Sequence, residues 1–412
     1  MQKPPDKLIR SRVLLGIFCL NLSLSLSYVG MGILAAQQDL LWRADFSAYY
    51  TGWAIVRDGR GADLYDVDTQ FAYQQDILQG RSFKDGLLRY IYPPHLTLPF
   101  VPLSRFTLPN AYLAWTIGQS LLLVWLLRRL YTLSQPWEPH ERWLLLSGVT
   151  AFHPLLLAFL LGAHSLLLTL CLLQFYLALK DGRDEWAGIW LIPVTIKPQA
   201  VLLPGLLLLA ARRWRAVLSA ALLGGALALF STLLMGWKTW TDYLGLLRSH
   251  AGLFDAFGVV PGDMHNLKGT LALILGNAHG SFINTVSYLA LGAAAVATMW
   301  LWRGPWRPND PRFELRMALT LVMGLLFNVH TNPQDSLLLV IPATLLYGYL
   351  CQRQLTHRAF AAFALLCPLI FLFSEFFVQD RLAIRIPVIA MAVLTAWLIK
   401  AFAHEHTTPQ MA

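Results

Sequence analysis

The sequence predicts an all-α polytopic membrane protein of about 11 to 12 transmembrane or half-depth helices. The chain of 412 residues is 56% hydrophobic and only 13% charged. Its apolar residues come in runs of about 16 to 24, separated by short basic clusters, as in chains that cross a bilayer repeatedly. We expect the helices to form one integral membrane domain over residues 1–412.

The first apolar run, at about 13–34, follows the basic residues Lys3, Lys7, Arg10 and Arg12. It is long for the core of a signal peptide, and it has no convincing small-residue cleavage site. It is therefore expected to be a retained anchor helix. The later spans are predicted at about 107–127, 143–160, 164–179, 187–197, 198–210, 214–235, 282–302, 314–329, 335–350, 358–374 and 384–402.

Two of these segments, 187–197 and 198–210, are too short to cross a bilayer separately. A helix of about 11 residues rises only roughly 16 Å, half the thickness of the hydrocarbon core. Two half-depth helices with a turn at Lys197 and Pro198 are therefore predicted. One full span over 187–210 is the alternative, but it would place the basic cluster at 212–215 outside, against the positive-inside rule.

The distribution of basic residues predicts the orientation. If the N-terminus lies in the cytoplasm, the short loops on the cytoplasmic side contain more Lys and Arg residues than the short loops on the external side. This is the distribution that the positive-inside rule predicts. The formal net charge of +9 is then a topology signal, so nucleic acid is not an expected partner. The protein is expected in the cytoplasmic (inner) membrane, with its functional side facing the periplasm or exterior.

Two longer segments lie outside the membrane in this topology, at 37–105 and 236–280. The second contains DMHNLKGTLALIL, whose final apolar stretch is too short to cross. The first contains apolar residues at roughly helical spacing, which predict a helix lying on the membrane surface. These residues are Leu64, Phe71, Tyr73, Ile77 and Leu78.

The sequence offers no pattern for a metal or a cofactor. The four cysteines lie in apolar runs without close pairing, so they are interpreted as packing residues. Asp58, Asp63, Asp66 and Asp68 lack the spacing of a calcium loop and are interpreted as a solvated acidic face. No Walker loop, dinucleotide-binding glycine pattern, HExxH or GxSxG occurs.

Polar residues from six separate parts of the chain fall at the external ends of spans or in external loops. Ionisable groups at membrane depth are costly and are usually functional, so this convergence on one side predicts a single site. The residues are Asp45, Tyr92, His164, Lys197, His265, Asn266, His330 and Asp335.

Four successive stretches resemble the signatures of glycosyltransferase family 87, the polyprenyl-phosphate-mannose-dependent mannosyltransferases of the GT-C superfamily. They are DFSAYYTGWAIVRDG, LYDVDTQFAY, YIYPPHLTLPFVPLS and KPQAVLLPGLLLLAARRWRA. The resemblance is clear over about 40–215, and HNLKG and HTNPQDSLLLVIPA extend it weakly to about residue 345. The chain departs from the family at Gly162, Ala163 and His164, where members commonly carry Gly-Gln.

The resemblance implies transfer of a sugar, mannose by analogy, from a polyprenyl-phosphate donor to an acceptor hydroxyl on the external face. Inversion without a metal, a GT-C type bundle and a glycolipid or glycan acceptor are further implications. Asp45 matches the catalytic aspartate of the family and is expected to act as the general base. Its alternative role is that of a helix N-cap before FSAYY.

The remaining site residues are assigned by their position and chemistry. Lys197 and then His330 are expected to bind the donor phosphate, because developing negative charge needs a cation; the alternatives are a snorkelling lysine and a helix-end histidine. Asp335 is expected mainly to cap the following helix and secondarily to contact sugar. The other predicted substrate contacts are Tyr49, Tyr50, Tyr92, His164, His265 and Asn266, for which packing and loop hydrogen bonding are the alternatives.

Two other classes of protein compete with this interpretation. A secondary transporter or lipid-linked sugar flippase would need ionisable residues near the bilayer midplane and two related halves. An O-antigen ligase-like enzyme would favour a large, late external loop with basic residues. The chain instead has one-sided polar residues, no internal repeat and a large loop that comes early. The predicted partners are therefore the lipid-linked donor, the acceptor and membrane lipids, and the sequence specifies no oligomeric state.

Overall fold

The fold is helical throughout the described part of the chain. The computed structural model describes residues 5–37, 45–81, 83, 86–251, 259–304, 306, 310, 312–353, 371 and 385–407. Apart from one isolated bridge between Phe83 and Gly86, the regular structure of these residues consists of helices. The predicted all-α class is confirmed.

The helices are numbered here in chain order. The first eight are α1 (Pro5–Gln37), α2 (Phe46–Arg57), α3 (Val67–Ile77), α4 (Pro94–Thr97), α5 (Leu108–Leu133), α6 (Pro139–Thr150), α7 (His153–Leu161) and α8 (Ser165–Lys180). The later ones are α9 (Asp184–Val194), α10 (Pro198–Ala210), α11 (Trp214–Met235), α12 (Trp237–Ala251), α13 (Leu267–Leu275), α14 (Gly280–Trp302), α15 (Arg312–Leu326), α16 (Val340–Gln352) and α17 (Ile386–Thr407).

Seven of the helical stretches among the described residues are long and apolar enough to cross a membrane. They are Leu14–Gln37, Leu108–Leu133, Pro139–Leu161, Trp214–Met235, Gly280–Trp302, Pro333–Gln352 and Ile386–His404. Each overlaps a predicted span, which confirms the polytopic class. The span predicted at 358–374 lies outside the described residues except for Phe371.

Two of the spans are interrupted near a proline. The segment predicted at 143–160 is divided into α6 and α7, because Phe152 leaves helical geometry with φ −72° and ψ 117°. Pro154 occupies the first turn of α7, where its missing N–H costs no hydrogen bond. The segment predicted at 335–350 begins with a 3₁₀ turn, Pro333–Leu339, before α16.

The half-depth pair is confirmed as two separate helices. α9 ends at Val194 and α10 begins at Pro198, so the chain turns at Lys197 as predicted. Their 11 and 13 residues rise roughly 16 and 20 Å, short of a full crossing. α9 approaches α11 closely at Gly188, where an added Cβ would lie 2.1 Å from the carbonyl oxygen of Ala216.

The centre of the bundle is α8. Its apolar side chains are buried almost all round, which identifies a helix surrounded by other helices. α11 shows the opposite pattern, because Leu218, Leu222 and Leu233 expose 59, 65 and 75% of their surface. α8 therefore links the two ends of the bundle through a dry interior, while α11 presents its leucines to the lipid.

The helix predicted in the first external segment is confirmed as α3, with Asp66 as its N-cap accepting from the Thr69 amide at 2.8 Å. That this helix lies on the membrane surface stays a prediction. Its Gln70 and Gln74 side chains are buried, and their amides bond the backbone of Leu88 and Tyr90. Phe71 is exposed. The extended stretch before α4 has no neighbouring strand to satisfy its backbone, so glutamine side chains bond it.

Candidate active site

A buried ion pair joins the turn between α9 and α10 to the 3₁₀ turn before α16. Lys197 Nζ lies 2.5 and 2.6 Å from the two carboxylate oxygens of Asp335. The lysine and aspartate side chains are only 12 and 8% exposed. Ser165 Oγ, at the start of α8, donates to Asp335 Oδ1 at 2.7 Å. Three distant segments therefore meet around one carboxylate.

Asp335 is fixed independently of the lysine. Its Oδ2 accepts from the backbone N–H of Asn332 at 3.0 Å, and the Asn332 side chain caps the same turn in return. The predicted capping role of Asp335 is confirmed. The carboxylate therefore has two hydrogen bonds, from Ser165 and the Asn332 amide, in addition to its contact with Lys197.

Asp45 lies beside this ion pair at the start of α2. Gln334, the neighbour of Asp335, directs its Nε2 to Asp45 Oδ2 at 3.4 Å. The alternative role of Asp45 as a side-chain N-cap is not observed, because its side chain makes no capping hydrogen bond to α2. Burial raises the pKa of Asp45 to about 6. The nearby positive charge of Lys197 lowers this pKa, and the negative charge of Asp335 raises it.

An aromatic cluster forms the wall next to Asp45. Tyr92 OH donates to Tyr49 OH at 3.0 Å, and the His164 ring centroid lies 4.3 Å from that of Tyr49 and 5.2 Å from that of Tyr92. Burial raises the pKa of both tyrosines well above the ordinary value, so both hydroxyls stay protonated and can donate. His164 Nδ1 is buried without a hydrogen-bond partner.

A narrow cleft opens beside the ion pair. Its enclosed part measures about 40 Å³, and about 520 Å³ of empty space surrounds it, including the open mouth. Lys197, Asp335 and His330 line the polar end. The apolar wall comes from α8, α10 and α15, through Leu168, Leu172, Pro204, Leu321 and Leu325. The cleft therefore joins a charged mouth to a surface suited to hydrocarbon.

The sequence model of glycosyltransferase family 87 matches residues 90–329, more than half of the chain. The chain belongs to glycosyltransferase family 87. No curated protein and no solved structure shows significant similarity to it.

Membership of family 87 makes this chain a membrane glycosyltransferase, which favours an enzyme over the transporter alternative. The matched segment carries Tyr92, His164 and Lys197. Asp45 precedes this segment, and His330 and Asp335 follow it. The geometry of the fold therefore brings together residues from inside and outside the matched region.

Two predicted substrate contacts of the glycosyltransferase lie one layer behind the cleft. Asn266 is the N-cap of α13, accepting from the Gly269 amide at 2.8 Å, and its own amide donates to the carbonyl oxygen of Asn328 at 2.9 Å. The backbone N–H of His265 donates to the carbonyl oxygen of Thr331 at 2.9 Å. Both residues thus support the loop that carries His330.

Tyr50 of the glycosyltransferase packs in the same buried cluster as Tyr49 and Trp53. Its hydroxyl donates to the carbonyl oxygen of Phe106 at 2.6 Å. It lines a second pocket, whose walls come from α2, α3 and the beginning of α5. A sugar contact by Tyr50 stays a prediction, and it would occur in that pocket.

Three further residues of the site were missed from the sequence. Ser165 follows His164 and Gln334 precedes Asp335, so adjacency to a flagged residue was the available signal. His95 had no such signal. Its Nε2 lies 3.1 Å from Thr195 Oγ1, two residues before Lys197, and it therefore ties the first external segment to the turn that carries the lysine.

Proposed function

We propose that this family 87 glycosyltransferase transfers a sugar, mannose by resemblance, from a polyprenyl-phosphate donor to an acceptor hydroxyl at the external face. The observation that carries the proposal is the position of Asp45 beside the buried Lys197–Asp335 pair. A base and a cation at one membrane-depth site are the two groups that displacement of a lipid phosphate needs.

Asp45 acts as the general base. The acceptor oxygen attacks the anomeric carbon while its proton passes to the Asp45 carboxylate, and the configuration at that carbon is inverted. A carboxylate with a pKa of about 6 is a stronger base than an ordinary aspartate and is still mainly ionised at neutral pH. The partial burial that raises this pKa also limits competition from water.

Lys197 receives the leaving group. The bond between the anomeric carbon and the phosphate oxygen breaks, and its electron pair leaves on the polyprenyl phosphate. Lys197 turns part of its interaction from Asp335 to this phosphate, while Ser165 holds the aspartate in place. His330, at the same mouth, supplies a further hydrogen bond to phosphate or sugar.

The apolar wall of the cleft accounts for a lipid-linked donor. Leu168 and Leu172 of α8 and Leu321 and Leu325 of α15 line the same cleft as Lys197 and Asp335. The first isoprene units can lie against this wall while the phosphate meets Lys197. A soluble nucleotide sugar would gain nothing from such a surface.

The test is transfer by purified protein in lipid nanodiscs, with polyprenyl-phosphate mannose and candidate glycolipid or oligosaccharide acceptors. Asp45→Asn is expected to lower kcat by about 10²–10⁴-fold while donor binding is retained, because the amide cannot accept the proton. Asp68→Asn, on the exposed side of α3, is the matched control and should retain full activity. Substantial turnover by Asp45→Asn would contradict the assignment of the base.

A further inference from the structure

A second pocket, which we name the outer groove, lies beside α2. It is lined by Tyr50 and Arg57 of α2, Tyr73 and Asp76 of α3, and the turn at Gln79. Its volume of about 380 Å³ is within the usual range for small-molecule sites. Tyr50 also belongs to the buried apolar cluster that contains Tyr49 and Trp53. The lining of the groove shares no residue with the cleft at Lys197 and Asp335.

Hydrogen bonds connect the charged side chains in the wall of the outer groove. Arg57 forms a two-point contact with Asp58, Nε to Oδ1 at 2.7 Å and Nη2 to Oδ2 at 3.1 Å. Tyr73 OH donates to Asp58 Oδ2 at 3.1 Å, and Arg57 Nη1 donates to the carbonyl oxygen of Ser104. Side chains that are fixed before binding lower the entropic cost of holding a ligand.

Gln79 retains its side chain at a position that favours glycine. It follows the end of α3 with φ +54°, in the left-handed region, and Gly80 after it also has a positive φ of 80°. A residue with a Cβ is strained in this conformation, and glycine would close the helix without that strain. Strained residues cluster at ligand sites, and this one lines the groove.

The charges of the outer groove indicate an uncharged ligand. Arg57 and Arg81 are balanced by Asp58 and Asp76, all four of which line the pocket. An anionic ligand would meet two carboxylates, and a cationic one would meet two guanidinium groups. A polyhydroxylated ligand suits mixed donors and acceptors, because each hydroxyl both donates and accepts.

We propose that the outer groove binds neutral saccharide units of the acceptor, remote from the hydroxyl that reacts. This inference rests on the proposed function for the identity of the ligand as acceptor. Asp45 and Arg57 are separated by 12 positions along α2, or roughly 18 Å. An extended oligosaccharide can therefore engage the groove while one of its ends reaches Asp45. The beginning of α5 at Leu108 borders the groove and sets it at the membrane surface.

The first experiment measures binding and does not depend on turnover. Neutral tetrasaccharides of mannose, glucose and galactose are titrated against protein in nanodiscs by saturation-transfer NMR. At least one is expected to bind, and Gln79→Gly and Asp76→Asn are each expected to weaken it about tenfold, the loss of one strong hydrogen bond. Asp68→Asn is the control on the same helix. Absence of binding, or equal binding by the variants, would overturn the proposal.

Further measurements distinguish a folding defect from a loss of ligand binding, and failure of the groove proposal from failure of the proposed function. Gln79→Gly relieves a strained backbone, so its Tm should equal or exceed that of the wild type. In transfer assays the groove variants should raise KM for a tetrasaccharide acceptor and leave kcat and KM for a monosaccharide acceptor unchanged. Asp45→Asn should lose transfer and keep tetrasaccharide binding. If Asp45→Asn stays active, the base assignment fails while the groove is still decided by the binding titration.

Discussion

Two lysine–carboxylate pairs lie at opposite ends of α8, and they differ in what surrounds them. Ser165 contacts the Lys197–Asp335 pair, while Lys180, roughly 22 Å further along the helix, lies 2.7 Å from Glu314 of α15. The Lys180 and Glu314 side chains are 33 and 17% exposed, against 12 and 8% for the other pair. The two ion pairs therefore differ in how far they are buried.

The end near Lys180 is closed by stacked rings. Tyr176 stacks on Phe313 at a centroid distance of 5.6 Å, Phe313 on Trp306 at 4.5 Å, and Arg213 lies over Trp306 at 4.0 Å. Lys180 also donates to Tyr176 OH at 3.2 Å. The charge of Lys180 therefore joins α8 to α15 through Glu314. Lys197 instead lines a cleft, and its partner has other bonds, so the same chemistry provides a cation that a ligand can reach.

The largest contrast is expected from removing each lysine. Lys197→Ala should lower kcat/KM for the donor by about 10²–10³-fold, because no cation then meets the leaving phosphate. Lys180→Met should change kcat/KM by less than about threefold and lower the Tm by a few degrees, since Glu314 loses its partner. Steady-state kinetics and thermal unfolding of both variants measure this. Equal losses of activity would remove the distinction between the two ends.

The pH profile sharpens the electrostatic side of the comparison. A general base works only when deprotonated, so kcat/KM should fall about tenfold per pH unit below the pKa of Asp45, about 6. The positive charge of Lys197 lowers this pKa, so the acid limb should move to higher pH in Lys197→Ala and stay in place in Lys180→Met. A limb near pH 4 in the wild type would show that Asp45 is not the titrating base.

Neutralising the carboxylate of each ion pair should change the kinetic constants less than removing its lysine. At Asp335 the donor KM should fall, whereas at Glu314 nothing should change. Asp335→Asn is expected to lower the donor KM by about three- to tenfold, because a negative charge no longer opposes the phosphate. Its kcat should fall about tenfold, because Lys197 loses the group that positions it. Glu314→Gln should leave both constants unchanged. A raised donor KM in Asp335→Asn would mean that the carboxylate helps to bind the donor.

The smallest effect is expected at the hydroxyl that holds Asp335. Ser165→Ala removes one hydrogen bond to a carboxylate and should lower kcat by about three- to fivefold, with a loss of stability of about 1 kcal/mol. Ser120→Ala is the matched control, because that hydroxyl bonds only the Thr116 carbonyl oxygen of its own helix. If both variants retain full kcat, Ser165 has no positioning role.

Much of the helix pattern could be predicted because it depends on local properties. Hydropathy placed the spans, and Pro198 next to Lys197 fixed the break between α9 and α10. The capping of the turn at Asp335 was also predictable, because Asn332 and Asp335 have capping-box spacing. The burial of Gln70 and Gln74 on α3 was not, since their backbone partners lie 20 and 14 residues further along the chain, beyond the reach of helical periodicity.

The sequence by itself determined the helical membrane class and the pair of short helices that meet at Lys197. Only the tertiary structure decided that Lys197 pairs with Asp335, 138 residues away, and that Asp45 lies beside Gln334, 289 residues away. The physical reason is that hydropathy and proline act within a few residues, whereas these contacts require the packing of α8, α10 and α15 around one cleft. Asp45, Lys197 and Asp335 could be selected from the sequence as candidate site residues, but the packing of the helices makes them neighbours.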